Sequence, residues 1–248
     1  MEISERMLVL QVGKFREIDL WVRLLSPTRG LISAFAFGGS RSRKRFVGCL
    51  DAFNEIQVRM VPTNRGAYLV MQESVLIKGL SRLRRDWSRF GLAVNCVRFM
   101  QSFGVGQDEG AAAYFLLHET LALMEENDSI PHLLPLFFRS RLVFDHGYSL
   151  QEENCRHCGR ELKNLEASIL VREGVILCPN CAPSNPGACL ALGPRIMQCI
   201  ESVRTMPPRE WGAIMLSAQD SRAFARIMDE FIRFHVGISW QNGRFIRH

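Results

Sequence analysis

Apolar and polar residues alternate with a period of two through much of the first 80 positions. Leu20, Val22 and Leu24 alternate against Asp19, Trp21 and Arg23, and Ile56, Val58 and Met60 against Gln57 and Arg59. That is the period of a half-buried strand, whose successive side chains point to opposite faces. Five β-rich runs, 7–15, 19–25, 30–37, 53–61 and 67–77, are broken by turn residues at Gly13, Ser26-Pro27, Gly38-Gly39 and Asn64-Arg65-Gly66. They leave no room for a crossover helix, and so predict a small antiparallel five-stranded barrel of the OB type over residues 1–80.

From about residue 84 the period becomes helical. Segments 92–103, 110–126 and 133–146 carry apolar residues at helical spacing, as in Phe115, Leu116, Thr120, Leu123 and Met124, and Gly147 is placed to cap the third. Pro194 opens a further helix to about Met206. Ser217 with Asp220 forms a capping pattern before Phe224, Ile227, Met228, Phe231, Ile232 and His235. The expected fold class is α+β: the barrel, then a helical domain over 81–248 with a metal-binding module inserted at 150–187.

The inserted segment holds the most specific chemistry in the chain. Cys155-Arg156-His157-Cys158 and Cys178-Pro179-Asn180-Cys181 are two C-x-x-C knuckles with 19 residues between them. That spacing is expected of a four-cysteine zinc site, in which each pair of thiolates grips one side of a tetrahedral ion. Cys155, Cys158, Cys178 and Cys181 are therefore the expected ligands of a structural Zn²⁺, since four thiolates leave no coordination position open for water. His157 reads as a neighbour of the site, and Cys49, Cys96, Cys189 and Cys199 as small core residues.

Charge adds a second candidate site. The net charge of +6 is modest, but residues 1–50 hold nine Lys or Arg against four Asp or Glu, and five of the nine lie between Arg29 and Arg45. Gly38-Gly39-Ser40-Arg41-Ser42-Arg43-Lys44-Arg45 is a turn carrying four cations in five residues, and a polyanion would relieve their mutual repulsion and release counterions. Lys14, Arg16, Arg29, Arg41, Arg43, Lys44 and Arg45 are thus candidate phosphate contacts. Phe15, Trp21, Phe35 and Phe37 are either stacking faces for bases or core. A second cluster, Lys78, Arg82, Arg84, Arg85 and Arg89 around Trp87, reads more simply as the solvated face of a linking helix.

The chain has no P-loop, no G-x-S-x-G and no H-E-x-x-H, and its six histidines are scattered, so no enzyme is expected. It shows neither a secretory leader nor a long apolar run, which predicts a cytoplasmic protein without membrane contact and with reduced cysteines.

Three segments, Gly13-Lys14-Phe15-Arg16-Glu17-Ile18-Asp19-Leu20, Leu24 through Ser33, and Gly38-Gly39-Ser40-Arg41, resemble the opening of RecO-family DNA repair proteins. His146-Gly147-Tyr148 shortly before Cys155-x-x-Cys158-Gly159, then Cys178-x-x-Cys181, resembles that family's later stretch, so the likeness runs through nearly the whole chain in order. It implies a nucleoid-associated recombination mediator that binds single- and double-stranded DNA and anneals complementary strands. It also implies contact with RecR and with the acidic tail of the single-stranded DNA-binding protein, and help in loading RecA. The family attributes tail docking to its helical domain, which makes Arg139 and Arg141 candidates, because an acidic, apolar-ended tail wants a cation beside a greasy groove. The alternative reading is an RNA- or ribosome-associated binding protein, since OB barrels and zinc knuckles also serve RNA recognition.

Overall fold

The predicted strands close on themselves. In the computed structural model, which describes residues 2–63, 66–148, 150, 154–162, 165–183, 185 and 189–248, β1 (Ile3–Lys14), β2 (Leu20–Ser26), β3 (Gly30–Ala36), β4 (Glu55–Pro62) and β5 (Leu69–Lys78) form a closed barrel in the order β1-β2-β3-β5-β4. Asn64 and Arg65 of the fourth predicted turn, and residue 187 at the predicted limit of the metal module, lie outside the described residues. β1 begins earlier than its apolar run because it serves two neighbours, β4 along Ile3–Leu8 and β2 along Leu8–Lys14.

The barrel is not wholly antiparallel. β3 and β5 pair in parallel, at Ala34–Leu69 and Phe35–Val70. The reason is arithmetic: an odd number of strands arranged in a ring cannot alternate direction at every step. Met7, Val9, Val22, Leu24, Ala34, Ala36, Ile56, Val58, Met60 and Met71 fill the interior, and burying each large side chain favours the closed ring by about 1.5–3 kcal/mol. One glycine is required by packing: a Cβ on Gly13 would lie 2.3 Å from the indole of Trp21, the residue opposite it on β2.

The helices are α1 (Ser81–Arg85), α2 (Trp87–Phe103), α3 (Gly110–Glu126), α4 (Leu134–Asp145), α5 (Pro194–Thr205) and α6 (Ala218–Phe231). α2 starts before its periodic segment because Asp86 caps it, accepting the amides of Ser88 at 2.9 Å and Arg89 at 3.2 Å. The chain forms two units, residues 1–97 with 104–126, and residues 98–103 with 127–248.

In the first unit α3 is fastened to the barrel by Tyr114, whose hydroxyl donates to Glu55 at 2.9 Å, and to α1 by Glu125, which accepts the Arg82 and Leu83 amides. The same contacts absorb much of the second basic cluster. Arg89 is buried against Asp86 and the Met124 carbonyl, Lys78 pairs with Glu126 at 3.2 Å, and Arg84 donates to Asn54. Arg85 and Trp87 are exposed, but Arg89 is a structural cation and not part of a solvated face.

In the second unit Phe137 meets Trp211 and Phe224 edge to face at its centre. The predicted cap of α6 is present, with Ser217 accepting the Asp220 amide. Two small sheets join these helices: β6 (Ala167–Leu170), β7 (Val175–Leu177) and β8 (Leu190–Leu192) in the order β7-β6-β8, and a hairpin of β9 (Ile238–Gln241) and β10 (Arg244–Arg247). No helix among the described residues is long and apolar enough to cross a membrane.

Candidate nucleic-acid face and candidate metal centre

Ala34 and Ala36 point into the barrel, so Phe35 and Phe37 point out. Their rings stack at 6.2 Å with an interplanar angle of 15°, Phe15 adjoins Phe35 at 4.8 Å, and Tyr68 meets Phe35 edge-on at 5.2 Å. Phe15 and Tyr68 are exposed, and Phe35, Phe37 and Trp21 half-buried. The four clustered rings are thus an outer surface and not core. Tyr68 lies in the predicted run 67–77, but just before β5, and no pattern in the sequence marks its ring as part of this surface.

Cations rim this surface. Arg16 lies over the Phe15 ring at 5.2 Å, and Arg45 donates to the Phe37 carbonyl at 2.6 Å while covering Phe46. Lys14 ends β1 beside them, and Arg41, Arg43 and Lys44 stand exposed on the same loop as Arg45. The loop is shaped by neighbouring backbone. Asp19 accepts the Gly38 amide at 2.8 Å, and the amide and hydroxyl of Ser40 both donate to the Ile18 carbonyl. Gly38 itself has φ of 67°, a left-handed conformation natural to glycine.

Arg29 lies elsewhere. It sits in the β2–β3 turn, at the opposite end of β2 from Leu20 and the loop, about 20 Å along a seven-residue strand. Its guanidinium approaches Glu5 at 3.8 Å, in a network where Glu5 also accepts from Ser26 and Thr28. The structure therefore brings Arg16 and Arg45 to the aromatic surface, with Lys14 next to Phe15 in the chain and Arg41, Arg43 and Lys44 exposed on the loop of Arg45, and leaves Arg29 apart.

In the second unit the four paired cysteines converge, their Sγ atoms all within 4.8 Å of one another. Cys158 and Cys178 are 3.7 Å apart, close to the ~3.8 Å edge of a tetrahedron with ~2.3 Å metal–sulfur arms. The first knuckle turns at Gly159, and β7 delivers Cys178, whose amide donates to Cys155 Sγ at 3.3 Å. Burial opposes ionisation of Cys155, but amides of Cys178, Cys158 and His157 outweigh it and bring the thiol down to about 6. Cys181 is pushed up to about 12, first by its contact with Cys178 and then by burial. Four thiolates this close repel one another, and a divalent metal held among them would offset that repulsion. His157 is exposed and stands outside the donor set. Cys49, Cys96 and Cys199 are buried, as small core residues should be, whereas Cys189 is half-exposed.

This architecture has relatives. Family models described as Recombination protein O N terminal and Recombination protein O C terminal match residues 1–80 and 84–244. The chain belongs to the RecO family. The DNA repair protein RecO of Oleidesulfovibrio alaskensis is 43% identical over the full length of both chains, and that of Nitratidesulfovibrio vulgaris 44%. The RecO protein of Geobacter metallireducens is 28% identical, over 92% of this chain and 90% of its own.

In this RecO-family chain Arg139 and Arg141 are both engaged. Arg139 pairs with Asp229 at 3.0 Å and lies over the rings of Phe99 and Phe245. It borders a groove of about 380 Å³, lined also by Ile238, Trp240 and Arg233. Arg141 pairs with Asp145 at 2.8 Å and donates to the carbonyls of Val203 and Met206, so it fastens α4 to the end of α5. One wall of the groove is the β9–β10 hairpin, which carries no sequence signal beyond four apolar or aromatic residues near the chain end.

Proposed function

We propose that the chain is a non-enzymatic recombination mediator, which binds single- and double-stranded DNA through its barrel and anneals complementary strands. The carrying observation is a cluster of four outward-facing rings on a closed OB-type barrel, with Arg16 over one of them and Arg45 held at the Phe37 carbonyl by the loop that also carries Arg41, Arg43 and Lys44. Aromatic rings stack on any base and cations follow the phosphates, which is what sequence-tolerant strand binding requires. Membership in a family named for DNA repair and recombination supports the biological setting.

In this reading the RecO-family chain acts on single-stranded DNA coated by the single-stranded DNA-binding protein, works with RecR, and assists loading of RecA. The acidic tail of the coating protein would dock in the groove beside Arg139. Phe99, Trp240 and Phe245 would take its apolar end, and Arg139 its carboxylates. Cys155, Cys158, Cys178 and Cys181 would hold Zn²⁺, which brings two distant knuckles together and supplies folding energy to the module.

The test is fluorescence anisotropy of a labelled single-stranded oligomer over a salt series, with wild type and the Arg43→Glu, Lys44→Glu, Arg45→Glu variant, followed by an annealing assay. Salt-steep wild-type binding whose slope falls by roughly 2 in the variant, at about 0.7 per lost phosphate contact, with faster annealing by the wild type, supports the reading. No wild-type binding at low salt overturns it.

A further inference from the structure

A second cavity, of about 440 Å³, opens in the unit that carries the cysteines. Its walls are β6 and the turn after it, β8, and the end of α6 with the π-helical turn 232–236 that follows. That volume suits a ligand of nucleotide size. Three arginines line it: Arg172 from the turn after β6, Arg226 from α6 and Arg233 from the π-helical turn, all exposed. Arg222, one turn before Arg226 on α6, is also exposed and continues the basic line away from the cavity.

The chemistry inside is specific. Phe234 is 53% exposed at the mouth, and the Arg172 guanidinium lies over its ring at 5.9 Å. An exposed phenyl ring with a planar cation beside it is a stacking surface for a base. Glu173 and Glu230 also line the cavity, and Glu230 steadies Arg226 at 3.3 Å. Carboxylates in the lining accept from the exocyclic amines of bases.

We infer that this cavity is a second strand-binding site, seating one nucleotide of single-stranded nucleic acid with its base on Phe234 and its phosphates on Arg172, Arg226 and Arg233. The inference deepens the mediator reading and rests on it, because annealing brings two strands together and a protein holding each at its own site raises their encounter rate. The barrel face takes one strand and the cavity takes the other.

The experiment uses the full chain and single-stranded DNA carrying photoreactive iodouracil, with adducts mapped by mass spectrometry in wild type and in the Arg43→Glu, Lys44→Glu, Arg45→Glu variant. Adducts at Phe234 that persist in the variant are expected. In parallel, Arg172→Glu combined with Phe234→Ala, both at exposed positions, should slow annealing by roughly tenfold, within the range of one lost base stack, while affinity for a single oligomer changes by less than about twofold. Adducts confined to the barrel, or unchanged annealing in the cavity variant, overturn the second site and leave the mediator reading standing. Loss of affinity for an acidic, apolar-ended peptide in the cavity variant, with annealing intact, overturns it in favour of a protein partner. Failure of the wild type to bind any DNA would sink the mediator reading itself.

Discussion

Asp19 holds Gly38 across the mouth of the barrel, its Oδ1 accepting the glycine amide at 2.8 Å. The carboxylate is itself buried and belongs to the β1–β2 turn, whereas the glycine opens the loop carrying Arg41, Arg43, Lys44 and Arg45. This hydrogen bond, with the two that Ser40 makes to the Ile18 carbonyl, anchors the start of the loop on which four cations stand. Asp19→Ala should cost about 1–3 kcal/mol by orphaning that amide and should weaken single-strand binding. Asp19→Asn keeps an oxygen acceptor and should lose less of both. Urea denaturation with anisotropy checks the order, and equal losses in the two variants would refute the role.

Gly13 and Trp21 make a sharper packing prediction. A methyl group at Gly13 would overlap the indole, so Gly13→Ala should destabilise the protein by about 1–3 kcal/mol. The Trp21 fluorescence environment should change with it. Unchanged stability in thermal or urea unfolding would show that the indole moves aside freely.

Cys155→Ser and Cys178→Ser should each lower bound zinc and melting temperature together, because metal binding and folding of the module are one equilibrium. Acidification should release the metal as protons compete for the thiolates. Stoichiometric zinc retained in both variants would refute the assignment of ligands.

Trp240→Ala tests the groove more cleanly than Arg139→Glu. Arg139 is tied to Asp229, so reversing it sets two carboxylates together and perturbs the fold along with any docking. Trp240 is 48% exposed. Its truncation should reduce affinity for an acidic, apolar-ended peptide by about 1–3 kcal/mol, the cost of losing a buried aromatic anchor, and should leave the melting temperature near wild type. Unchanged peptide affinity would place the docking site elsewhere.

The cap of α2 predicts a pH dependence. Backbone hydrogen bonds, first from Arg89 and then from Ser88, hold the Asp86 carboxyl below its ordinary value against the effect of desolvation. A depressed carboxyl stabilises the fold above its unfolded pKa of about 3.9, and that contribution disappears as pH falls through the folded value. Wild type and Asp86→Ala should differ in melting temperature at neutrality and converge in acid. A gap that persists in acid would show that the carboxylate charge is not what matters.

The barrel and the principal helices were legible because each repeats its period over enough residues to show. β2 announces itself through Leu20, Val22 and Leu24, and α3 through an apolar face repeated along a 17-residue helix. The outward direction of Phe35 and Phe37 was also present, in the alanines between and beside them, since small residues fill the inside of a narrow ring. The strands β6 to β10 were hidden, being three or four residues each and too short for any period. Arg89 looked like surface because the groups that bury it include the Met124 carbonyl, 35 residues away. The four cysteines were legible from spacing alone, yet the cavity around Phe234 was not, because its walls come from three separated segments.

The parallel seam between β3 and β5 is the briefest joint in the ring, two residue pairs against eight between β4 and β5. Phe35 stands on one side of it and Tyr68 leads into the other, their rings 5.2 Å apart. A strand stacked across both rings bridges the joint from outside, like a clasp over the gap in a hoop. Occupancy should therefore be felt in the wall behind the rings, as slower amide hydrogen exchange at Leu69 and Val70 when single-stranded DNA is bound. Unaltered exchange there would mean that the bound strand follows some other path over the barrel.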